Sequence, residues 1–199
     1  MTTTFSVISL GQFADIDPVE GNNTAENAGL LVGVTIGGTG DPLVNDIVTL
    51  SVVGDTKGYY DTDGKPAEHF RINDGYPQRY DSIASYNSTI TFTDGTTGTV
   101  TIVVAQDTDG NLYLVPSAGS SADLSTLQSA PILSITFDSV QSNTSPGLPK
   151  SQTPWNYVTC FLEGTLIETI DGPRAIEDLQ PGDLIPTMDS GDQPIRWVA

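Results

Sequence analysis

The chain holds one cysteine, one histidine and seven lysines and arginines in 199 residues, against 25 aspartates and glutamates. A single cysteine excludes an internal disulfide, so stability must come from packing, hydrogen bonding or bound cations, and cysteine pairing says nothing about redox compartment. The shortage of basic residues leaves a formal net charge of −18. Such a surface repels a phosphate backbone, which excludes nucleic acid as a partner. The acids are scattered, with no acidic tail, and fit solubility in a salty or cation-rich medium better than recognition of one basic partner. Every apolar run is far shorter than the roughly 20 residues of a bilayer span, so no membrane crossing is expected. Met1–Leu10 has neither a basic leader nor a sustained apolar stretch, and is not a Sec-type signal peptide.

What is abundant is Thr, Ser, Gly, Asp and Val, in short alternating runs divided by turn clusters, the pattern of an all-β fold. Strands are expected at Phe5–Leu10, Leu31–Ile36, Ile47–Val53, Phe70–Ile72, Thr89–Thr93, Thr99–Ala105, Leu112–Val115 and Ile132–Phe137. The clearest hairpin joins Thr89–Thr93 to Thr99–Val103 through Asp94-Gly95-Thr96-Thr97-Gly98, and Asp107-Thr108-Asp109-Gly110-Asn111 turns the chain into the next strand. Short helices are predicted near Thr24–Leu31 and Ser121–Ser129. The expected architecture is a β-sandwich over residues 1–140, a jelly roll being one arrangement the pattern allows. From Gln141 the sequence turns rich in Ser, Pro and Asn and loses its period, so 141–159 reads as a linker that delivers an extended segment to a second, β-rich region, 160–199.

Several motifs in the first region invite a chemical reading. Asp61-Thr62-Asp63-Gly64 and Asp107-Thr108-Asp109-Gly110 share the alternating carboxylates of calcium loops, so Asp61, Asp63, Asp107 and Asp109 are candidate ligands of a hard cation. Neither motif has the terminal bidentate Glu, and each reads more naturally as a hairpin turn. No other cofactor is indicated. Gly37-Gly38-Thr39-Gly40-Asp41 lacks the Lys-Ser/Thr of a phosphate loop. Tyr59, Tyr60, Tyr76, Tyr80 and Tyr86 make the middle of the region aromatic, and a sugar-binding face is the minority reading of them.

The second region opens with the lone cysteine: Cys160-Phe161-Leu162-Glu163-Gly164-Thr165-Leu166-Ile167-Glu168-Thr169, then Asp171-Gly172, then Gln180-Pro181-Gly182-Asp183-Leu184-Ile185. On residue type alone a cysteine beside Phe161 and Leu162 is a small buried hydrophobe. The order and spacing of the Cys, the Gly-Thr pair, the strand, the Asp-Gly turn and the Pro-Gly-Asp turn, however, resemble the first block of the Hedgehog/intein (Hint) domain. That resemblance implies a nucleophile at Cys160, an acyl donor at Thr159, an N-to-S acyl shift across the bond between them, and the polypeptide itself as substrate in a single turnover. Asp183 is the candidate supporting residue, with a plain Gly-Asp turn as the competing reading. The resemblance covers residues 160–199 only. A whole Hint domain is several times longer, so the segment is expected to be an incomplete Hint domain. The family's Thr-x-x-His element and its closing Asn step have no counterpart, since the one histidine is His69 in the β region. Self-cleavage by this chain is therefore expected to be absent or very slow.

The family resemblance further implies a bacterial protein, exported or extracellular without a Sec-type signal. Two rival readings remain at this level. One is a secreted, non-enzymatic β-rich binding or adhesion module, calcium-stabilised, in which the Hint-like strands are an appended hairpin. The other is a thiol enzyme with an external substrate, for which only His69 is on offer as a base. The ligand of the β region is not legible.

Overall fold

The computed structural model describes residues 3–54, 58–62, 68–116, 121–152, 164–187 and 191–195. The chain divides into two compact units, Met1–Val158 and Thr159–Ala199. The first contains strands β1 (Thr4–Gln12), β2 (Thr35–Gly37), β3 (Ile47–Val53), β4 (Tyr59–Asp61), β5 (His69–Ile72), β6 (Gln78–Phe92), β7 (Thr97–Asp107), β8 (Asn111–Val115), β9 (Ile132–Ser142) and β10 (Gly147–Pro149). One short helix, α1 (Ser121–Leu127), and 3-10 turns at Ala28–Leu31 and Leu43–Asp46 complete it. The all-β class holds.

Eight strands form one hydrogen-bonded set in the order β2-β9-β6-β5-β3-β1-β8-β7, and β7 pairs again with β6. The pairing thus closes into a ring, β6-β5-β3-β1-β8-β7, from which β9 and β2 continue beyond β6. The length of β6 makes this possible. One end, at Gln78 and Arg79, pairs with β5. The rest runs against β7 from Tyr80 to Thr91, and Ser85–Phe92 also holds β9 on its other edge. The expected hairpin is the far end of this pair, with Thr89 opposite Thr99. Its turn is closed by the Asp94 carboxylate, which accepts from the Thr96 amide at 2.9 Å and its hydroxyl at 2.6 Å.

The layering expected of a sandwich takes the form of two apolar clusters on opposite faces of shared strands. Alternate side chains point to opposite faces, so β8 sends Leu112 and Leu114 to one cluster and Tyr113 and Val115 to the other. β7 likewise divides Val104 from Ala105. The first cluster also takes Tyr86, Ile90, Ile135 and Phe137, and the second takes Phe5, Leu50, Tyr60, Phe70 and Tyr80. Burial on both faces explains why these strands read as nearly continuous apolar runs. The helix α1 lies against β7, where Asp123 accepts the Thr101 amide at 3.0 Å.

Three expectations change. The strand drawn at Leu31–Ile36 is only Thr35–Gly37, because Leu31 ends the 3-10 turn and is buried in the first cluster. The helix drawn at Thr24–Leu31 is that same turn, confined to Ala28–Leu31. The stretch from Gln141, read as linker, instead continues β9 to Ser142 and then forms β10, which pairs with β4 through Leu148 opposite Tyr60. Leu148 is buried in the second cluster, and Lys150 is buried with its ammonium 3.1 Å from Glu68 and 5.1 Å from the Tyr60 ring centre. Gly147 has φ +134°, and a β-carbon there would collide with the Tyr60 carbonyl, so only glycine brings the two strands together. The residues that look loop-like in composition are thus a closely fitted part of the first unit, as far as the described residues run, to Gln152.

Candidate functional site

The described residues of the second unit form two hairpins. In the first, β11 (Leu166–Thr169) pairs with β12 (Gly172–Ala175), with Thr169 opposite Gly172 across the predicted Asp171-Gly172 turn. The Thr169 hydroxyl locks that turn, donating to the Gly172 carbonyl at 2.7 Å and accepting the Asp171 amide at 3.2 Å. In the second, β13 (Leu184–Thr187) pairs with β14 (Gly191–Pro194). Gly191 opens the return strand directly opposite Thr187. The Ile170 amide donates to the Leu184 carbonyl at 3.1 Å and joins the hairpins.

Two carboxylates organise the turns between these strands. Glu177, in the 3-10 turn Ile176–Asp178, accepts the Gly164 amide with both oxygens, at 3.0 and 2.9 Å. The Ile176 amide donates to the Thr165 carbonyl at 2.8 Å beside it. The first described residues after Cys160 are therefore tied at both a donor and an acceptor. Hydrogen bonding from the Gly164 amide holds the Glu177 carboxyl below its ordinary range. Asp183 accepts the Gln180 amide at 2.8 Å and an Arg174 guanidinium hydrogen at 2.8 Å. The amide first, then Arg174, hold it below the usual carboxylate range. Its described contacts are thus those of a turn clamp that ties the Pro181-Gly182-Asp183 corner to β12. Sequence reading named Asp183 but missed Arg174 and Glu177, since the separations that join them in space leave no period to detect.

Cys160 and Thr159 lie outside the described residues, as does Asp63. Of the other candidate cation ligands, Asp61 sits in β4 with its amide donating to Glu68. Asp107 is buried and turned into its own loop. It accepts the Asp109 amide at 3.0 Å, the Asn111 amide at 2.8 Å and the Asn111 side-chain amide at 2.8 Å. Asp109 offers its backbone carbonyl to Gln12 at 2.6 Å. The structure thus gives this Asp-x-Asp-Gly sequence its turn role. Among the described residues no group of three or more His, Cys, Asp or Glu is placed to hold a metal ion. The tyrosines do not form a sugar-binding face: Tyr60, Tyr80 and Tyr86 are core residues, with Tyr60 stacked on Tyr80 at 5.2 Å, and only Tyr59 and Tyr76 are exposed.

The first unit does contain a pocket of about 260 Å³ that sequence reading did not anticipate. Ile83, Val103 and Leu148 supply apolar walls, Ser142, Thr144 and Ser145 line one side, and none of the described lining residues is charged. No helix among the described residues is long and apolar enough to cross a membrane.

The molecule so described is an all-β protein whose smaller unit, a pair of clamped hairpins, follows a lone cysteine. Residues 159–199 match the family model of the Hint domain, which supports a Hint domain in this part of the chain. Neither the curated proteins nor the solved structures contain a match to the chain.

Proposed function

We propose that the chain is an autoprocessing protein in which Cys160 attacks the carbonyl carbon of Thr159. The observation that carries this reading is the span of the family match, which begins at residue 159 and so takes in the bond to be broken. The reaction is intramolecular: the Cys160 thiolate sulfur bonds to the Thr159 carbonyl carbon, the peptide C–N bond breaks, and the Cys160 amine leaves with a proton. The product is a thioester joining Thr159 to the Cys160 side chain, open to attack by a thiol, by water or by a second nucleophile. The clamped Gly164-Thr165 segment supports the reading by fixing the chain where it leaves the nucleophile. The polypeptide is its own substrate, and cleavage and splicing share this first step.

A free thiol near its ordinary pKa of about 8.5 is mostly protonated at neutral pH, so the step needs a base and an acid for the leaving amine. Residues 160–199 contain no histidine to serve as that acid. The 199-residue chain is therefore expected to yield fragment 1–159 only very slowly when incubated with excess thiol or hydroxylamine, as read by intact mass. Fusing a C-terminal segment that carries a Thr-x-x-His element is expected to accelerate it. Cys160→Ala is expected to abolish both. Equal cleavage at the same junction in the alanine variant would sink the reading.

The neutral pocket favours a second reading of the first unit, as a module that binds an uncharged ligand whether or not the junction is cleaved. Leu148→Trp, which would fill the pocket from its wall, is expected to abolish binding of any such ligand found by screening. Unchanged binding would remove the pocket from consideration.

A further inference from the structure

Between β1 and the turn at Ala28, the chain buries the carboxyl group of Asp17. Asp17 is 1% exposed, and among the described residues neither of its carboxylate oxygens meets an N–H or O–H. What faces it is acid. The Asn27 amide donates to the Ile16 carbonyl at 2.9 Å and so sets exposed Glu26 beside Asp17, and Glu26, Glu20 and Asp81 are the charges that act on it. Asp81 in turn is faced by Asp15, Glu20 and Arg79. Two ionised carboxylates are both acceptors and repel, so the approach of Asp17 to Glu26 is bonding only when one of them carries a proton. Asp17 is the one that keeps it: burial first, then Glu26, pushes its carboxyl up to about 7. Glu26 is held low, chiefly by the Asn22 side-chain amide at 2.9 Å.

This pair sits at the centre of a fastening. The Ile16 amide donates to the Gln106 side chain at 2.9 Å, and the Asn27 amide donates to the Ile16 carbonyl at 2.9 Å, so the residues flanking Asp17 and Glu26 are tied together and to β7. The same loop holds the chain after β9: the Ala25 amide donates to the Asn143 carbonyl at 2.8 Å, and the Ser145 amide to the Asn23 carbonyl at 3.0 Å. Ser142, Thr144 and Ser145 on that chain line the neutral pocket.

We propose that Asp17 and Glu26 form a proton-held clasp, closed when they share one proton and loosened when both are ionised, that fastens residues 15–27 and through them the pocket wall at Ser142–Ser145. A carboxyl raised on folding contributes stability that is complete below its unfolded value near 4 and is lost as pH rises to its folded value. The clasp is thus closed in mild acid and weakens through neutrality. A displacement from 3.8 to about 7 allows a change of up to roughly a thousandfold in the local opening constant.

Hydrogen exchange of the full chain at pH 5 and pH 8, corrected for intrinsic rates, tests this. Protection of the Ile16, Ala25, Asn27 and Ser145 amides is expected to fall steeply between the two, while that of the β6–β7 ladder changes little. Asp17→Asn places an amide donor against Glu26, and Glu26→Gln places one against Asp17, so each is expected to keep these amides protected at pH 8. Two independent variants cover the case in which one fails to fold. Protection that does not change with pH in the parent chain, or that falls equally in parent and both variants, would overturn the proposal. So would calcium alone restoring protection at pH 8 in the parent but not in Asp17→Asn, since the carboxyls would then be ligands of a cation.

Discussion

Gln106 is fully buried in β7, and its amide holds together a strand, a turn and a distant loop. Its oxygen accepts from Ile16, and its nitrogen donates to the Ala14 carbonyl at 3.2 Å and the Gly110 carbonyl at 3.1 Å. Gln106→Leu fills the space but orphans these buried groups, and is expected to cost about 2–4 kcal/mol, read as a lower midpoint in denaturant unfolding. None of this was legible beforehand, because its partner Ile16 is 90 positions away. Cys160 is the opposite case: its rarity and its neighbours in the chain are themselves the signal. Asp183 stands between the two. Its place in the Pro-Gly-Asp turn is local and readable, whereas its bond to Arg174 exists only because β12 returns beside the corner.

At the scale of elements, the decisive case is β10. If Gly147 and Leu148 belonged to a linker, substituting them would change little. In the observed pairing Gly147→Ala meets the Tyr60 carbonyl in a backbone conformation that side chains avoid, and is expected to destabilise the first unit by about 2–4 kcal/mol. Leu148→Ala opens a cavity in the second cluster, and is expected to cost about 2–5 kcal/mol. Thermal unfolding followed by near-ultraviolet circular dichroism would report both through Tyr60 and Tyr80, which pack in the same cluster. Strands such as β3 and β8, whose apolar residues dominate a continuous run, were readable in advance. β4 and β10 were not: each is three residues long and offers no period, and each forms only because the other is there. The first half of β6 was hidden for a related reason, since its inward residues include Asp81 and Ser82, polar groups buried against the rest of the fold.

Across the whole molecule, the net charge of −18 makes self-repulsion a standing cost. Added monovalent salt is expected to raise the unfolding temperature by screening it, and a flat or falling salt response would show that repulsion is not limiting. The two units should also respond to pH in opposite directions. In the first, Asp17 and Asp81 are raised from 3.8 to about 7 and about 6, in each case chiefly by burial, so their contribution is complete below the unfolded value and is lost as pH climbs from there to the raised values. In the second, Glu177 and Asp183 are held low, so their contribution is present above the ordinary carboxylate range and is lost as pH falls through and below it. Calorimetry between pH 3 and 8 is expected to show the first unit most stable in mild acid and the second most stable near neutrality. Sequence alone determined the β class, the hairpin turns and the place of the lone cysteine, because alternation, turn residues and a contiguous motif are all encoded by neighbours in the chain. Tertiary structure alone decided the closure of β7 on β6, the capture of β10, the neutral pocket and the burial of Asp17. Each of those depends on which distant segments share a face, and a linear pattern carries no record of that.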